Sequence, residues 1–394
     1  MLDSFHAALS KMPGVNKFIK DTPGGSAKLL QGWINLTYLG KVAFRPWLAA
    51  RNIIQVEQTL GCRIGFEPTN AALKQVLGEG REELMLRLRK QGLLLRDTPA
   101  AADLGQSRLS KLTRAGMNGI YAADDIARAV SCVAAENLLQ EGVDTWNRGA
   151  FERISRNTPK GAIEKFKDFT ELRQISAGKP ELADQIAELA LSGKSEELAQ
   201  AKKLFAQELS NQTNPNFARF QQPHFYTASL PGYLFGRLST FTTMSRENIF
   251  RGWQASQGIA NKALFIGRYV GLGLALKKGM EAIGIDGKDF SPGYSALFGG
   301  GPQFSEAIDL ARSAGSGTTN SNARETIEKA YLPFYFDESQ GKLQGNLSLG
   351  NPEHLPGSIP GTLQLHYAHQ MALALERDDY WKAFLCGLTI PVKK

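Results

Sequence analysis

The chain has 394 residues, of which 42% are hydrophobic and 21% are charged, and this balance excludes a disordered protein. The formal charge of +8 suits a nucleic-acid or anionic-membrane partner, although many soluble proteins are equally basic. The three cysteines, Cys62, Cys132 and Cys386, are too few and too widely spaced for a disulfide framework or a zinc site. Because the first residues lack the apolar region of a signal peptide, we expect synthesis in a cytoplasm.

The N-terminal part of the chain reads as helices punctuated by proline and glycine. Pro46 suits a first helical turn and Gly61 suits the end of a helix, so we expect a helix between them. A second helical stretch, 70–95, is expected to break around Gly78 and Gly80. The alanine-rich stretch 120–147 predicts a helix whose small residues allow close packing.

Residues 160–209 follow as charged, amphipathic helices. Their apolar residues recur with helical spacing, and Pro180 and Ser195 are placed to open two of these helices. A change in composition at Asn211 marks the start of a different part of the chain.

That part begins with a block that is both basic and aromatic. Residues 217–277 hold seven Lys and Arg residues and one Glu, a net charge of +6 that accounts for most of the excess charge of the chain. Its most apolar segment, 263–276, is shorter than the ~18 residues of a membrane span and carries Arg268, so we expect an interfacial or buried helix.

Residues 284–360 are rich in Gly, Pro, Ser and Asn and predict long loops, with one helix at 322–332 and a short strand within 343–349. A final helix is expected at 362–388, with Asp378 and Asp379 at its acidic centre. The whole sequence predicts an all-α, multi-helix, elongated protein with long Gly/Pro-rich loops in its C-terminal half. Its expected domains are a helical domain, 1–210, and a second domain, 211–394.

Candidate catalytic and metal-binding patterns are weak. His366 and His369 lie three residues apart on the predicted last helix, but no second carboxylate–histidine motif accompanies them. The glycine run that follows Phe298 lacks the Lys-Ser/Thr pair of a phosphate-binding loop. We therefore expect no cofactor, no metal and no enzymatic activity, although a cell-wall hydrolase with an unrecognised cleft stays open as an alternative.

Four segments taken together resemble the large internal virion proteins of bacteriophages, of the polyvalent type. They are LTYLGKVAFRPWLAARNIIQVEQTLG, IYAADDIARAVSCVAA, PHFYTASLPGYLFGRLSTFTTMSRENIFRGW, and the closing stretch from LSLGNPEHLPG to TIPVKK. The resemblance implies an internal virion or ejection protein that forms a conduit across the host envelope. It implies a location in the virion interior and, after ejection, in the envelope of the host whose cytoplasm made the protein.

The predicted function is therefore that of a homo-oligomeric ring or conduit that assists genome delivery. Its expected partners are other virion proteins (portal, tail or other ejection proteins), DNA and the host membrane. A structural scaffold or connector of the virion, with no membrane role, is the alternative.

The candidate contact residues all lie in the basic, aromatic block. Those for DNA or lipid are Arg237, Arg246, Arg251 and Arg268. Those for an apolar interface are Trp253, Phe265, Gly267, Tyr269 and Gly271, of which the two glycines have the spacing that lets helices approach closely.

Overall fold

The computed structural model describes residues 46–94, 108–154, 159–175, 179–214, 249–256, 258–290, 334–337, 342–345, 362–390 and 392. Within them the prediction of an all-α protein is confirmed, since helices account for nearly all of the regular structure. The predicted helix at 322–332 and most of the Gly/Pro-rich loops lie outside the described residues. The predicted elongated shape stays a prediction.

The helices fall into an N-terminal group and two later groups. The N-terminal helices are α1 (Pro46–Thr59), α2 (Gly61–Ile64), α3 (Phe66–Leu77), α4 (Arg81–Lys90), α5 (Arg108–Asn147), α6 (Ala150–Ile154), α7 (Pro159–Phe169), α8 (Leu172–Ile175), α9 (Pro180–Leu191) and α10 (Ser195–Thr213). A short helical segment, 249–255, precedes α11 (Gly258–Ala282) and a 3₁₀ turn (Gly287–Phe290), and the last helices are α12 (Thr362–Leu375) and α13 (Tyr380–Gly387).

Helix α5, with 40 residues, is the central element, and α1, α3 and α10 pack along it. Small buried side chains, including Ala129, Cys132, Ala134 and Ala135, make up much of the packed part of α5, beside buried valines and leucines. Small side chains let helix axes come close together and leave the space between them to the larger residues of the partner helix, such as Phe205 of α10. The prediction of a closely packed, alanine-rich helix is thus confirmed.

The predicted helix starts at Pro180 and Ser195 are confirmed, because each of these residues opens a helix. Helix α1 extends from Pro46, the first described residue, so the start predicted there stays a prediction. Helix α1 ends at Thr59, close to the predicted stop at Gly61, but Gly61 itself opens the one-turn helix α2. The turn comes at Gly65, whose φ of +97° is a conformation that glycine adopts without steric cost.

Gly61 has a different role, which depends on a distant part of the chain. A Cβ atom at this position would lie 3.2 Å from Leu272 Cδ1 on α11. A side chain here would therefore push against α11, and glycine permits the two elements to touch.

The single helix predicted for 362–388 is also wrong, because the chain turns between α12 and α13. Asp378 has a φ of +56°, a left-handed conformation that interrupts a helix. Asp379 is the N-cap of α13, and its carboxylate accepts a hydrogen bond of 3.0 Å from the backbone N–H of Lys382. The acidic pair is thus a helix-start signal rather than the middle of a helix.

Two short strands, β1 (Phe334–Asp337) and β2 (Lys342–Gly345), form an antiparallel hairpin in which Phe334 pairs with Gly345. The expected strand in 343–349 therefore exists, but it begins one residue earlier and ends earlier.

A small apolar cluster joins parts of the chain that lie on either side of residue 211. It contains Trp47 of α1, Ile285, Phe290, Leu385 of α13 and Ile390. The rings of Trp47 and Phe290 meet edge to face with centroids 6.4 Å apart. The predicted domain boundary stays a prediction, and these contacts show that the flanking helices pack together.

We predict that Gly142→Ala destabilises the protein, although the same change usually stabilises a helix interior by about 1 kcal/mol. A Cβ at Gly142 on α5 would collide with Thr170 Cγ2 and would lie 3.0 Å from Phe166 Cε2. We expect a loss of about 1–3 kcal/mol in the free energy of unfolding, measured with urea.

Gly119→Ala on the same helix is the matched control, since the nearest described atom to its Cβ is that of Ala49 at 4.0 Å. It should leave stability unchanged or raise it. Equal effects of the two changes would show that α5 and α7 are not in close contact.

Candidate membrane and assembly surface

Helix α11 is the apolar element of the basic block, and it packs against the core on one side. In its 25 residues the buried positions are Phe265, Tyr269 and Gly273. Among the described residues it is the one helix whose length and composition would allow it to cross a membrane, and 17% of its most apolar 18-residue window is buried. The core helices of soluble proteins can meet the same criterion, but most of their residues are buried, unlike those of α11.

Phe265 anchors the inner side of α11. Its side chain is 1% exposed and packs with Cys62 and Tyr269. The ring lies so close to the segment 249–255 that a Cβ at Gly252 would be 2.5 Å from it. Of the predicted apolar contact residues, Phe265 and Tyr269 are thus occupied by contacts within the chain.

The outer side of α11 faces away from the described core. Its exposed residues include Ile259 (89% exposed), Leu264 (50%) and Leu274 (45%), and no charged residue interrupts them. Ala263, Gly267, Gly271 and Ala275 recur at intervals of four and form one row along this side.

The predicted glycines Gly267 and Gly271 belong to this outer row. A Cβ at either position would have no described atom within 4 Å. Glycine lowers helix stability by about 1 kcal/mol relative to alanine. The contacts of the described residues do not require glycine at these two positions.

Arg268, a predicted DNA or lipid contact, lies on the flank of α11 and is directed toward the core. Its Nη1 atom is 3.8 Å from Glu171 Oε1, between α7 and α8, and its side chain is 33% exposed. Burial raises the pKa of Glu171 to about 7, although the positive charge of Arg268 acts against this rise. Arg268 therefore takes part in holding α11 to the core.

Arg251 and Trp253 lie on the segment 249–255, next to the start of α11. Arg251 is half-buried and is close enough to Arg63 to contribute to a lower pKa of that guanidinium. Trp253 is 40% exposed, and Lys262 Nζ lies 5.3 Å from the centre of its ring, a cation–π contact. The other two predicted arginines, Arg237 and Arg246, lie outside the described residues.

A buried polar network lies beneath this surface and is centred on Arg63, whose side chain is fully buried. Its Nη1 donates hydrogen bonds to Gln212 Oε1 at 2.6 Å and to the carbonyl oxygen of Gln174 at 3.2 Å. The Gln212 amide donates in turn to the carbonyl of Ile175 and to Glu208 Oε1. Burial lowers the pKa of Arg63 to about 10, so it stays charged at neutral pH.

Sequence reasoning missed a second exposed apolar group, on α13. Trp381 stacks on Phe384 with ring centroids 5.6 Å apart, and both side chains are more than half exposed. The indole Nε1 of Trp381 donates a hydrogen bond of 2.8 Å to the carbonyl of Ile283, just after the end of α11. The exposed apolar surface of α11 is therefore continued by α13. In the sequence, the Tyr-Trp pair that follows Asp379 could have indicated this exposed aromatic group.

Glu57 is the other residue that sequence reasoning passed over. It is buried on α1, and no described group donates a hydrogen bond to either carboxylate oxygen. Burial raises its pKa to about 7. The signal was its position, four residues after Ile53 and three before Leu60, which places a carboxylate on the apolar stripe of the helix.

In the part of the chain that the structure describes, no group of three or more His, Cys, Asp or Glu side chains could hold a metal ion. Comparison with protein-family models, curated proteins and solved structures gives no match. The resemblance to phage internal virion proteins stays a prediction.

We predict that Gln212→Leu lowers the free energy of unfolding by about 2–3 kcal/mol, because it removes the nearest acceptor of a buried guanidinium. The double change Arg63→Met with Gln212→Leu should recover a large part of that loss, since it removes the charge as well. A urea double-mutant cycle measures both effects. Gln185→Leu, at an exposed position of α9, is the matched control and should change stability by less than about 0.5 kcal/mol. Additive effects of the two changes would contradict the network.

Proposed function

We propose that the chain is an internal virion (ejection) protein of a bacteriophage, which assembles into a homo-oligomer and assists genome delivery across the host envelope. The observation that carries the proposal is the outer side of α11, where exposed apolar and small residues from Ile259 to Ala275 form a surface without an exposed charge. The segment resemblance adds the virion context. In this proposal the role is structural rather than catalytic.

The outer side of α11 suits lipid for reasons of energy and of charge. Exposed leucines gain about 1.5–3 kcal/mol each when they leave water for an apolar phase. Lys262 lies beside the apolar side and Lys278 is exposed at its C-terminal end, and both suit anionic headgroups. Trp253 and Trp381 have the amphipathic side chains that are enriched at membrane interfaces.

Arg268 and Arg251 suit a positioning role better than direct contact with DNA in this proposal. Arg268 is paired with Glu171, and Arg251 is half-buried near Arg63. DNA contact is therefore proposed mainly for Arg237 and Arg246. The proposed protein partners in the virion are the portal, tail or other ejection proteins.

We predict that the purified protein floats with vesicles of phosphatidylcholine and phosphatidylglycerol in a density gradient. The double change Leu264→Asn with Leu274→Asn should reduce the bound fraction at least about tenfold, because both side chains are exposed and would lose their transfer to lipid.

Leu86→Asn is the matched control, because Leu86 is 54% exposed on α4 and lies away from this surface. It should bind vesicles as the unchanged protein does. If the unchanged protein fails to bind vesicles but forms rings in electron micrographs, the membrane role is wrong and a virion connector replaces it.

A further inference from the structure

Helix α11 has the length and composition of a membrane span, but its contacts restrict how it can meet lipid. In its first half Phe265 and Tyr269 are buried against the core. In its second half Leu276 and Met280 pack against the cluster that contains Phe290. The described core therefore runs along the inner side of most of the helix. A helix held in this way would have to leave the core, or take it into the lipid, in order to cross a bilayer.

A charged pair lies near the middle of α11. The Nη1 atom of Arg268 is 3.8 Å from Oε1 of Glu171, which lies between α7 and α8. The middle residues of a helix that crosses a membrane lie in the hydrocarbon, where a guanidinium is costly. Crossing would take Glu171 and its turn into the hydrocarbon as well, or would break the pair. The pair therefore favours a position in which the middle of α11 stays at the membrane surface.

The uncharged part of the outer side is short. It runs from Ile259 to Ala275, about 24 Å at 1.5 Å per residue, whereas the hydrocarbon of a bilayer is ~30 Å thick. Lys262 lies beside its N-terminal part, and the exposed Lys278 follows its C-terminal end. Helices that lie in the membrane surface have this arrangement, because their apolar side enters only about 5–10 Å of a leaflet while their lysines meet anionic headgroups.

Helix α13 adds a second apolar surface at the end of α11. Tyr380, Phe384 and Leu388 recur at intervals of four with Trp381 beside them, and all four side chains are exposed. The hydrogen bond of 2.8 Å from Trp381 to the carbonyl of Ile283 joins this surface to the residue just after α11, whose side chain is also exposed. Tyrosine and tryptophan are enriched where a membrane meets water.

We propose that α11 and α13 together anchor the protein in one leaflet of a membrane, and that α11 lies in the plane of the bilayer rather than crossing it. The inference rests on the proposed membrane role and specifies how the chain meets lipid. Its partner is a lipid surface with anionic headgroups, since the apolar outer side of α11 has lysines at both ends.

The side of the membrane on which each end of α11 lies tests the in-plane position. Asn261→Cys and Ala282→Cys place a thiol at exposed positions near the two ends. Each variant is bound to preformed vesicles of phosphatidylcholine and phosphatidylglycerol, and a membrane-impermeant maleimide is added outside. Both thiols should react as fully as they do after detergent is added. The unchanged protein gives the background, because its three cysteines are buried.

The part of the anchor on α13 is tested by vesicle flotation. Tyr380→Asn with Phe384→Asn should reduce the bound fraction at least about tenfold, because both side chains are more than half exposed and would lose their transfer to lipid. Leu77→Asn with Leu86→Asn, two exposed leucines of α3 and α4, is the matched control and should bind as the unchanged protein does.

The outcomes separate this anchor from the proposed function. A thiol at one end that reacts only after detergent is added would show that α11 crosses the bilayer, which overturns the anchor and leaves membrane binding in place. An unchanged bound fraction in the α13 variant would likewise overturn the two-part anchor alone. Failure of the unchanged protein to bind vesicles would overturn the membrane role and the anchor together. The labelling test changes two exposed positions and does not require the α13 variant to fold.

Discussion

The close packing of small residues along α5 is the constraint on which the rest of the fold depends. Helices α1, α3 and α10 pack along α5, where alanine, cysteine and serine make up much of the buried surface beside larger residues such as Leu139. Gly142 extends the same principle to α7, since Phe166 and Thr170 occupy the space that a side chain there would take. Because α5 fixes α1, and α1 leads directly into α2, the packing along α5 also sets the place where α11 attaches.

The buried polar groups near that attachment site are unusual for a protein interior. Arg63 is charged and buried, and its closest acceptor is the side-chain amide of Gln212 rather than a carboxylate. Glu57 has no described hydrogen-bond donor. Interiors made for stability alone would use apolar residues at such positions. Local departures from the rules of packing are common where a protein has to bind or change shape, and here several of them lie on one side of the molecule.

Much of the helical framework could be predicted, because the signals are local. Pro180 opens a helix through its fixed φ, Ser195 is the first residue of α10, and the alanines of α5 indicate close packing by composition. The failures have non-local causes. Gly61 is needed for a contact with Leu272, more than 200 positions later. Glu171 and Arg268 likewise meet only in the folded chain.

The candidate surface, too, could be predicted only in part. Its basic and aromatic composition could be read directly, but which side of α11 faces the core could not. Apolar and small residues occur all round this helix, so no periodic pattern separates the buried Phe265 from the exposed Leu264 beside it. The break between α12 and α13 was missed because Asp378 and Asp379 are compatible with a helix until their capping geometry is known.

The hydrogen bond from Trp381 to the carbonyl of Ile283 makes the two ends of α11 unequal. The C-terminal end is tied to α13, and through Leu385 to the cluster that contains Trp47 and Phe290. The N-terminal end begins at Gly258, whose φ of +78° is a turn conformation that glycine adopts without strain. The buried Phe265 and the hydrogen bond from Trp381 attach the rest of the helix to the core. A force on the N-terminal end would therefore displace the exposed Ile259 most, since it lies ahead of both attachments.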